Sequence, residues 1–259
     1  MSVIICTRNR RDLVTRAIDS VLAQEDVATE IIVVDDCSDD DTATLLADRY
    51  GERVKLVCLD ENRRVAFATN RGFAASSGDY IAMLGDDDYW SDPKKLRKQL
   101  DVFANSDTGL GVVGTWWSEQ HASGERRSRQ PEEPENWANQ LLQGGGVICG
   151  STPLISREAW TAAGGLDERM PRGTDSDLFR RIVLRGYEGS IVREDTTVVD
   201  VGHGLARMTT AGGFREARRT AYAHSYLLWK YRRDYLRHPR AMLVRLRSLL
   251  LTPLLAILR

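Results

Sequence analysis

The chain has 259 residues, 42% of them hydrophobic and 28% charged, enough for one large α/β domain or two small ones around a buried core. A net charge of −1 leaves no basic surplus for nucleic acid. That sum hides an asymmetry: residues 215–259 hold eleven Lys/Arg against Glu216 and Asp234, a balance of +9 that leaves −10 for the rest.

The four cysteines, Cys6, Cys37, Cys58 and Cys149, lack metal-ligand spacing. Three lie in or beside apolar runs, which reads as buried free thiols in a reducing compartment. The first apolar strand begins almost at Met1, so no secretory signal is expected ahead of it and the chain reads as cytoplasmic.

Short apolar, β-rich runs alternate with helical patterns through the first 115 residues. Strands are predicted at Val3–Cys6, Ile31–Val34, Val54–Leu59 and Tyr80–Leu84. Helices are predicted between them, at Asp12–Gln24, Thr42–Tyr50 and Val65–Ser77. Strands that are apolar on both faces and separated by helices argue for a parallel sheet covered on both sides, the doubly wound α/β pattern. Ligands of such sheets bind beyond the carboxyl ends of the strands. A further strand ends near Thr115. Residues 118–135, polar and broken by Gly124, Pro131 and Pro134, read as a surface excursion, and Gly144-Gly145-Gly146 as a mobile loop. A second α/β-like stretch runs from Val147 to about Val201, with a helix at Ser176–Arg185, and the tail from Phe214 onward reads as helical.

Two acidic groups follow strands directly: Asp35-Asp36 after the second, and Asp86-Asp87-Asp88 after the fourth. Asp39-Asp40-Asp41 suits simple capping of the next helix. Three adjacent carboxylates at the end of a buried strand repel one another, and a divalent cation relieves that repulsion. Oxygen ligands favour Mg²⁺ or Mn²⁺, with substrate phosphates completing the shell. Trp90 and the pair Trp116-Trp117 read as core by default, with a sugar platform as the alternative.

These segments resemble a known family. Val3-Ile4-Ile5-Cys6-Thr7-Arg8-Asn9 is similar to the opening strand of family 2 glycosyltransferases, which have the GT-A fold, and Ile32 through Ser38 resembles their second motif. Asn62 through Gly72 resembles the helix preceding their metal site, and Tyr80 through Trp90 the strand carrying their Asp-x-Asp element. Thr174-Asp175-Ser176-Asp177-Leu178, with Arg185-Gly186-Tyr187 after it, resembles their late acidic motif. The motifs stand in the family's order over roughly residues 1–210.

The resemblance implies a GT-A catalytic domain over 1–210, a nucleotide-sugar half at 1–115 and an acceptor half at 116–210, followed by a basic helical tail at 211–259. It implies that Thr7, Arg8, Asp36, Arg64 and Asp86 contact the nucleotide sugar, that Asp87 and Asp88 hold Mg²⁺ or Mn²⁺, and that Asp175 is the general base of an inverting transfer to a hydroxyl acceptor. His203, between Gly202 and Gly204, is either a diphosphate or metal contact or a turn residue, and Arg207 is a further candidate for that anionic surface. Two departures stand out: Gly85 occupies the place of the first Asp in many Asp-x-Asp elements, and Thr174 replaces an acidic residue. Asp175 would also suit capping of its own helix.

The tail from Leu236 combines arginines with an apolar run too short to span a bilayer and interrupted by Pro253. It reads either as an interfacial anchor at an anionic membrane, suited to carbohydrate or lipid-linked acceptors in cell-envelope or polysaccharide synthesis, or as a helix packed on protein. Two other functions fit an α/β, metal-dependent chain. One is a nucleotidyltransferase, although Thr7-Arg8-Asn9-Arg10-Arg11 lacks the glycine of a phosphate loop. The other is a non-catalytic nucleotide-sugar-binding protein.

Overall fold

The computed structural model describes residues 1–107, 109–144, 146–204 and 214–257; side chains are described outside 214–217 and 250–257. Four parallel strands open the chain: β1 (Ser2–Thr7), β2 (Glu30–Asp35), β3 (Val54–Cys58) and β4 (Tyr80–Gly85). Helices α1 (Arg11–Leu22), α2 (Thr42–Tyr50) and α3 (Arg64–Ala74) connect them. Beyond β4 follow β5 (Tyr89–Trp90), α4 (Lys95–Ala104), β6 (Leu110–Gln120), β7 (Arg126–Arg129) and α5 (Trp137–Gln143). Next come β8 (Leu154–Ser156), α6 (Arg157–Ala163), α7 (Thr174–Leu184) and β9 (Glu188–Asp200). Helices α8 (Phe214–Lys230), α9 (Arg232–Arg237) and α10 (Pro239–Ile257) make up the tail.

One sheet runs in the order β3-β2-β1-β4-β8-β6-β9-β5, with β7 paired to β6. The β1–β4 part is parallel, as its doubly apolar runs require. The remainder is mixed: β8 runs antiparallel to β4 and β6, β9 parallel to β6, and β5 antiparallel to β9. Alternation along β1 divides the core. Val3 and Ile5 face α1 and α2 with Val14, Ile18 and Leu46, whereas Ile4 faces the opposite layer with Trp160, Leu178 and Phe179. β6 carries the predicted strand past Thr115 through both tryptophans. Trp117 is buried, and half-buried Trp116 donates its indole N–H to the Pro131 carbonyl.

Several expectations change. Helix α4 was hidden by its charged sequence. The polar excursion contains β7, an exposed strand that pairs with β6 through residues such as Arg127 and Arg129. None of the four free cysteines is fully buried, and Cys58 is exposed, because it ends β3 at the sheet edge. Helix α10 continues through Pro253. Gly145 of the glycine run and Arg207 lie outside the described residues. Among the described residues no helix is long and apolar enough to cross a membrane.

Candidate active site

Parallel pairing sets the carboxyl ends of β1, β2 and β4 side by side. Thr7 lies level with Asp35, and Cys6 level with Val34 and Gly85. Thr7, Asp36 and Asp86 to Asp88 therefore meet on one rim, each less than a tenth exposed. Carboxylates so crowded need donors or cations around them.

Asp36 accepts the backbone N–H groups of Arg63 (2.7 Å) and Arg64 (2.8 Å), which ties the start of α3 to the end of β2. Arg64 adopts a φ of 70° there, while Asn9 and Cys37 adopt 54° and 62°. The loops after β1, β2 and β3 thus each hold one non-glycine residue in the left-handed region, where strain concentrates at binding rims. The Arg8 and Arg64 side chains are exposed at this rim, Arg8 donating to the Cys37 carbonyl at 3.2 Å.

Arg10, unremarked in the sequence, places its guanidinium 2.8 Å from Asp86 Oδ1 and 3.3 Å from Asp87 Oδ2. Arg16 of α1 donates to the Asp87 carbonyl at 2.6 Å and to Asp200 Oδ2 at 2.8 Å. His203 brings Nε2 to 3.1 Å from Asp87 Oδ2 with only 5% of its side chain exposed, so it belongs to the cluster rather than to a solvent turn. Burial raises the Asp86 pKa, and the Asp87 charge adds to the rise while Arg10 and the Thr7 hydroxyl oppose it. Asp200 moves the opposite way in spite of burial, because Arg16 and the Gly202 N–H stabilise its charged form.

Asp88 has other partners than those expected of a metal ligand. The Ser151 hydroxyl donates to its Oδ2, and the Asp200 N–H donates to its Oδ1 at 3.1 Å. Ser151 Oγ also accepts the Gly85 N–H at 3.0 Å. A Cβ on residue 85 would stand 3.0 Å from Asp88 Oδ2 and 3.1 Å from both Asp87 Oδ1 and Ser151 Oγ. A side chain at residue 85 would therefore press on three polar side-chain atoms, which would have to give by a few tenths of an ångström to admit it.

Asp175 lies in the first turn of α7, half-buried, after Gly173 in the left-handed conformation. Burial raises its pKa, and the N–H groups of Ser176 and Asp175 itself moderate the rise, so a capping contact and a raised pKa coexist. Its Oδ2 would lie 2.8 Å from a Cβ on Gly150. Since Ser151 holds Asp88, Gly150-Ser151 bridges Asp175 and the Asp86–Asp88 cluster. The Trp90 indole N–H donates to the Ser151 carbonyl at 3.0 Å, which gives Trp90 a buried supporting place. Gln99 donates to the Thr152 carbonyl at 2.9 Å, and the buried Lys95 ammonium donates to Gln99 at 2.7 Å.

A cation bound mainly through phosphates needs only one or two protein ligands. Asp87 and His203 offer one carboxylate and one imidazole at a shared point, a donor pair that fits such an ion. Among the described residues no three His, Cys, Asp or Glu side chains converge to enclose a metal by themselves.

The family model described as glycosyl transferase family 2 matches residues 2–160. The chain belongs to that family. This family 2 member is similar to the succinoglycan biosynthesis protein ExoO of Rhizobium meliloti (strain 1021), with 42% identity over 101 residues, 39% of this chain and 29% of the relative. The alignments to the first curated relatives span between 29% and 47% of their lengths. Its fold is the GT-A fold. A crystal structure of S. aureus TarS with UDP-GlcNAc aligns at a TM-score of 0.69 and 17% identity, covering 88% of this chain and 66% of that one. The Pyrobaculum calidifontis mannosyltransferase PcManGT, in complex with GDP-Man and Mn²⁺, aligns at 0.66 and 20% identity, covering 95% and 73%. Arg10, Arg16, Gly150, Ser151 and Asp200 were missed in the sequence; only Asp200, a carboxylate ending a strand three residues before His203, carried a readable signal.

Proposed function

We propose that the protein is an inverting, metal-dependent glycosyltransferase that moves a sugar from a nucleoside-diphosphate sugar to a hydroxyl of a carbohydrate or lipid-linked acceptor. The observation that supports this reading is the Gly150-Ser151 segment, against which the desolvated Asp175 carboxylate packs at Gly150 and Asp88 of the acidic cluster hydrogen-bonds at Ser151. In this reading Thr7, Arg8, Asp36, Arg64 and Asp86 hold the base, ribose and diphosphate, and residues 1–115 form the donor half of a catalytic domain ending near residue 210. Asp87 and His203 would hold Mg²⁺ or Mn²⁺, which when bound neutralises charge on the departing diphosphate. Asp88 serves as the buried strut joining that rim to Ser151 and Asp200.

An alcohol is a weak nucleophile near neutral pH, so a carboxylate must accept its proton as the new bond forms. Asp175 suits this role because burial makes it more basic and its helix holds it rigidly. The hydroxyl oxygen attacks the anomeric carbon as the bond to the diphosphate breaks on the opposite face, giving inversion in one displacement. Arg10 and the exposed arginines of the rim add positive charge near the leaving group. The relative named for succinoglycan biosynthesis supports a polysaccharide or cell-envelope acceptor, and four free cysteines support a cytoplasmic setting.

Incubation with a panel of nucleotide sugars and Mn²⁺ tests the reading. Release of free nucleoside diphosphate is expected. Release of pyrophosphate would make the protein a nucleotidyltransferase, and binding without turnover would make it a donor-binding protein.

A further inference from the structure

The tail has two dissimilar faces. Its inner face is anchored: buried Tyr231 donates to Asp177 Oδ1 at 2.6 Å, and Lys230 reaches Asp177 Oδ2 at 2.9 Å and Asp167 at 2.7 Å. Tyr235 and Arg245 both donate to the Leu142 carbonyl at 3.0 Å, and Leu227, Tyr231, Tyr235 and Ala241 pack with Leu142 and Met170. The expectation of a helix packed on protein thus holds for this face, and these ties fix which side chains point outward.

The outer face is apolar and basic at once. Apart from Leu22, the exposed large hydrophobic side chains of the described molecule all lie on the tail: Tyr222, Trp229, Leu236, Leu243, Val244 and Leu246. Leu236 is 76% exposed and Leu243 64%. Spacing sorts α10, with Ala241 and Arg245 inward and Arg240, Leu243, Val244 and Arg247 outward. Leu228, Leu236, Met242 and Leu246 line a groove of about 450 Å³ that Arg232 and Arg233 flank. Among the described tail side chains the single acid, Asp234, is half-buried.

Exposed apolar side chains gathered on one part of a molecule mark an interaction site, and the charged residues lining the groove here are both arginines. Apolar side chains alternating with arginines match the boundary of an anionic bilayer, where acyl chains take the first and phosphates the second. We propose that the outer face of α8–α10 docks on the surface of an anionic phospholipid membrane, with the α9–α10 groove receiving an acyl chain and Arg232 and Arg233 meeting headgroup phosphates. The docking stands independently of the transfer reaction. Through Asp177 it would also fix α7, and with it Asp175, relative to the lipid surface.

Co-sedimentation of the full chain with vesicles decides the matter. Binding is expected to phosphatidylcholine vesicles holding about 30% phosphatidylglycerol, and little to phosphatidylcholine alone. The R232Q/R233Q pair should weaken binding by about 25-fold, since each arginine near such a surface contributes about fivefold, and about 0.5 M salt should weaken it comparably. L236S/L243S should also lose binding while keeping the wild-type melting temperature, because both positions are exposed. Equal binding to both vesicle types, or none to either, overturns the proposal. So does a dimer in sedimentation equilibrium that L236S/L243S dissociates, which would show a second copy on this face. Nucleotide-sugar turnover is scored separately, so a failed transfer assay leaves the vesicle result standing.

Discussion

On the tail side of α7, Asp177 is fully buried and accepts from Lys230, Tyr231 and Arg181. Two residues earlier, Asp175 is half-buried, its pKa is raised by that burial, and its Oδ2 lies against the backbone of Gly150. The same functional group is thus a fastening in one region and, in the proposed reaction, the proton acceptor in the other. What separates them is the supply of donors: Asp177 is held by two charged side chains and a phenol, whereas desolvation raises the pKa of Asp175. At the rim of β1, β2 and β4 the two situations mix: Asp36 and Asp88 accept from N–H and O–H donors, whereas Asp86, although paired with Arg10, has its pKa raised by burial.

The largest expected effect tests the proton-accepting side. Asp175→Asn should lower kcat by about 10³, within the range for loss of a general base, while donor affinity measured by calorimetry stays within twofold. A rate near wild type would remove Asp175 from the chemistry. Because its pKa is raised, Asp175 ionises only above the ordinary carboxylate value of about 3.9, so the acid limb of kcat should fall above that pH. The sign for stability is the reverse of a salt-bridged carboxylate. The charged form is disfavoured in the folded state, so destabilisation is fully present above the folded pKa and vanishes below about 3.9. Asp175→Asn should accordingly melt at or above the wild-type temperature.

The next effect tests the rim. Asp87→Ala should weaken metal-dependent nucleotide binding by about 10²-fold, the scale seen when an inner ligand or its support is lost. Unchanged Mn²⁺ affinity in a titration would move the ligand to a neighbour.

How much of this was legible depends on where each signal resides. Strands β1 to β4 were readable because parallel strands buried on both faces are written as unbroken apolar runs, and Thr42–Tyr50 was read to the residue. Asp86 to Asp88 were readable because they follow a strand end, and His203 because glycines flank it on both sides. Helix α4 was not: its Lys94-Lys95-Leu96-Arg97-Lys98 looks solvated, yet Lys95 is wholly buried against the Trp90 ring and Gln99, where burial drives its pKa well below the usual lysine value. Gly150 and Ser151 were invisible for another reason. Their importance lies in contacts with Asp175, Gly85 and Asp88, each far along the chain, and no local pattern encodes a distance of that kind. The mixed half of the sheet escaped likewise, since β9 carries Arg193-Glu194-Asp195 through a register irregularity opposite β6.

A smaller expected effect tests the bridge itself. In Gly150→Ala the added methyl would meet the free end of the Asp175 side chain, which can swing aside, so the fold should lose less than about 1 kcal/mol. The displaced carboxylate should cost about tenfold in rate, read as a lower kcat with an unchanged donor dissociation constant. Loss of donor binding instead would show that the bridge shapes the nucleotide side alone.

The smallest effect on the reaction falls on the tail side. Tyr231→Phe removes one neutral donor from Asp177 while Lys230 and Arg181 remain, so urea unfolding should register a loss of about 1.5–3 kcal/mol, the range for a hydrogen bond to a charged group. The acid limb of kcat should stay where it was, because the hydroxyl touches Asp177 and leaves the surroundings of Asp175 intact. A limb that moved with this substitution would mean that the two carboxylates of α7 titrate together. The contrast between fastening and proton acceptor would then give way to a single coupled pair, in which the docking of α8 sets the basicity of Asp175.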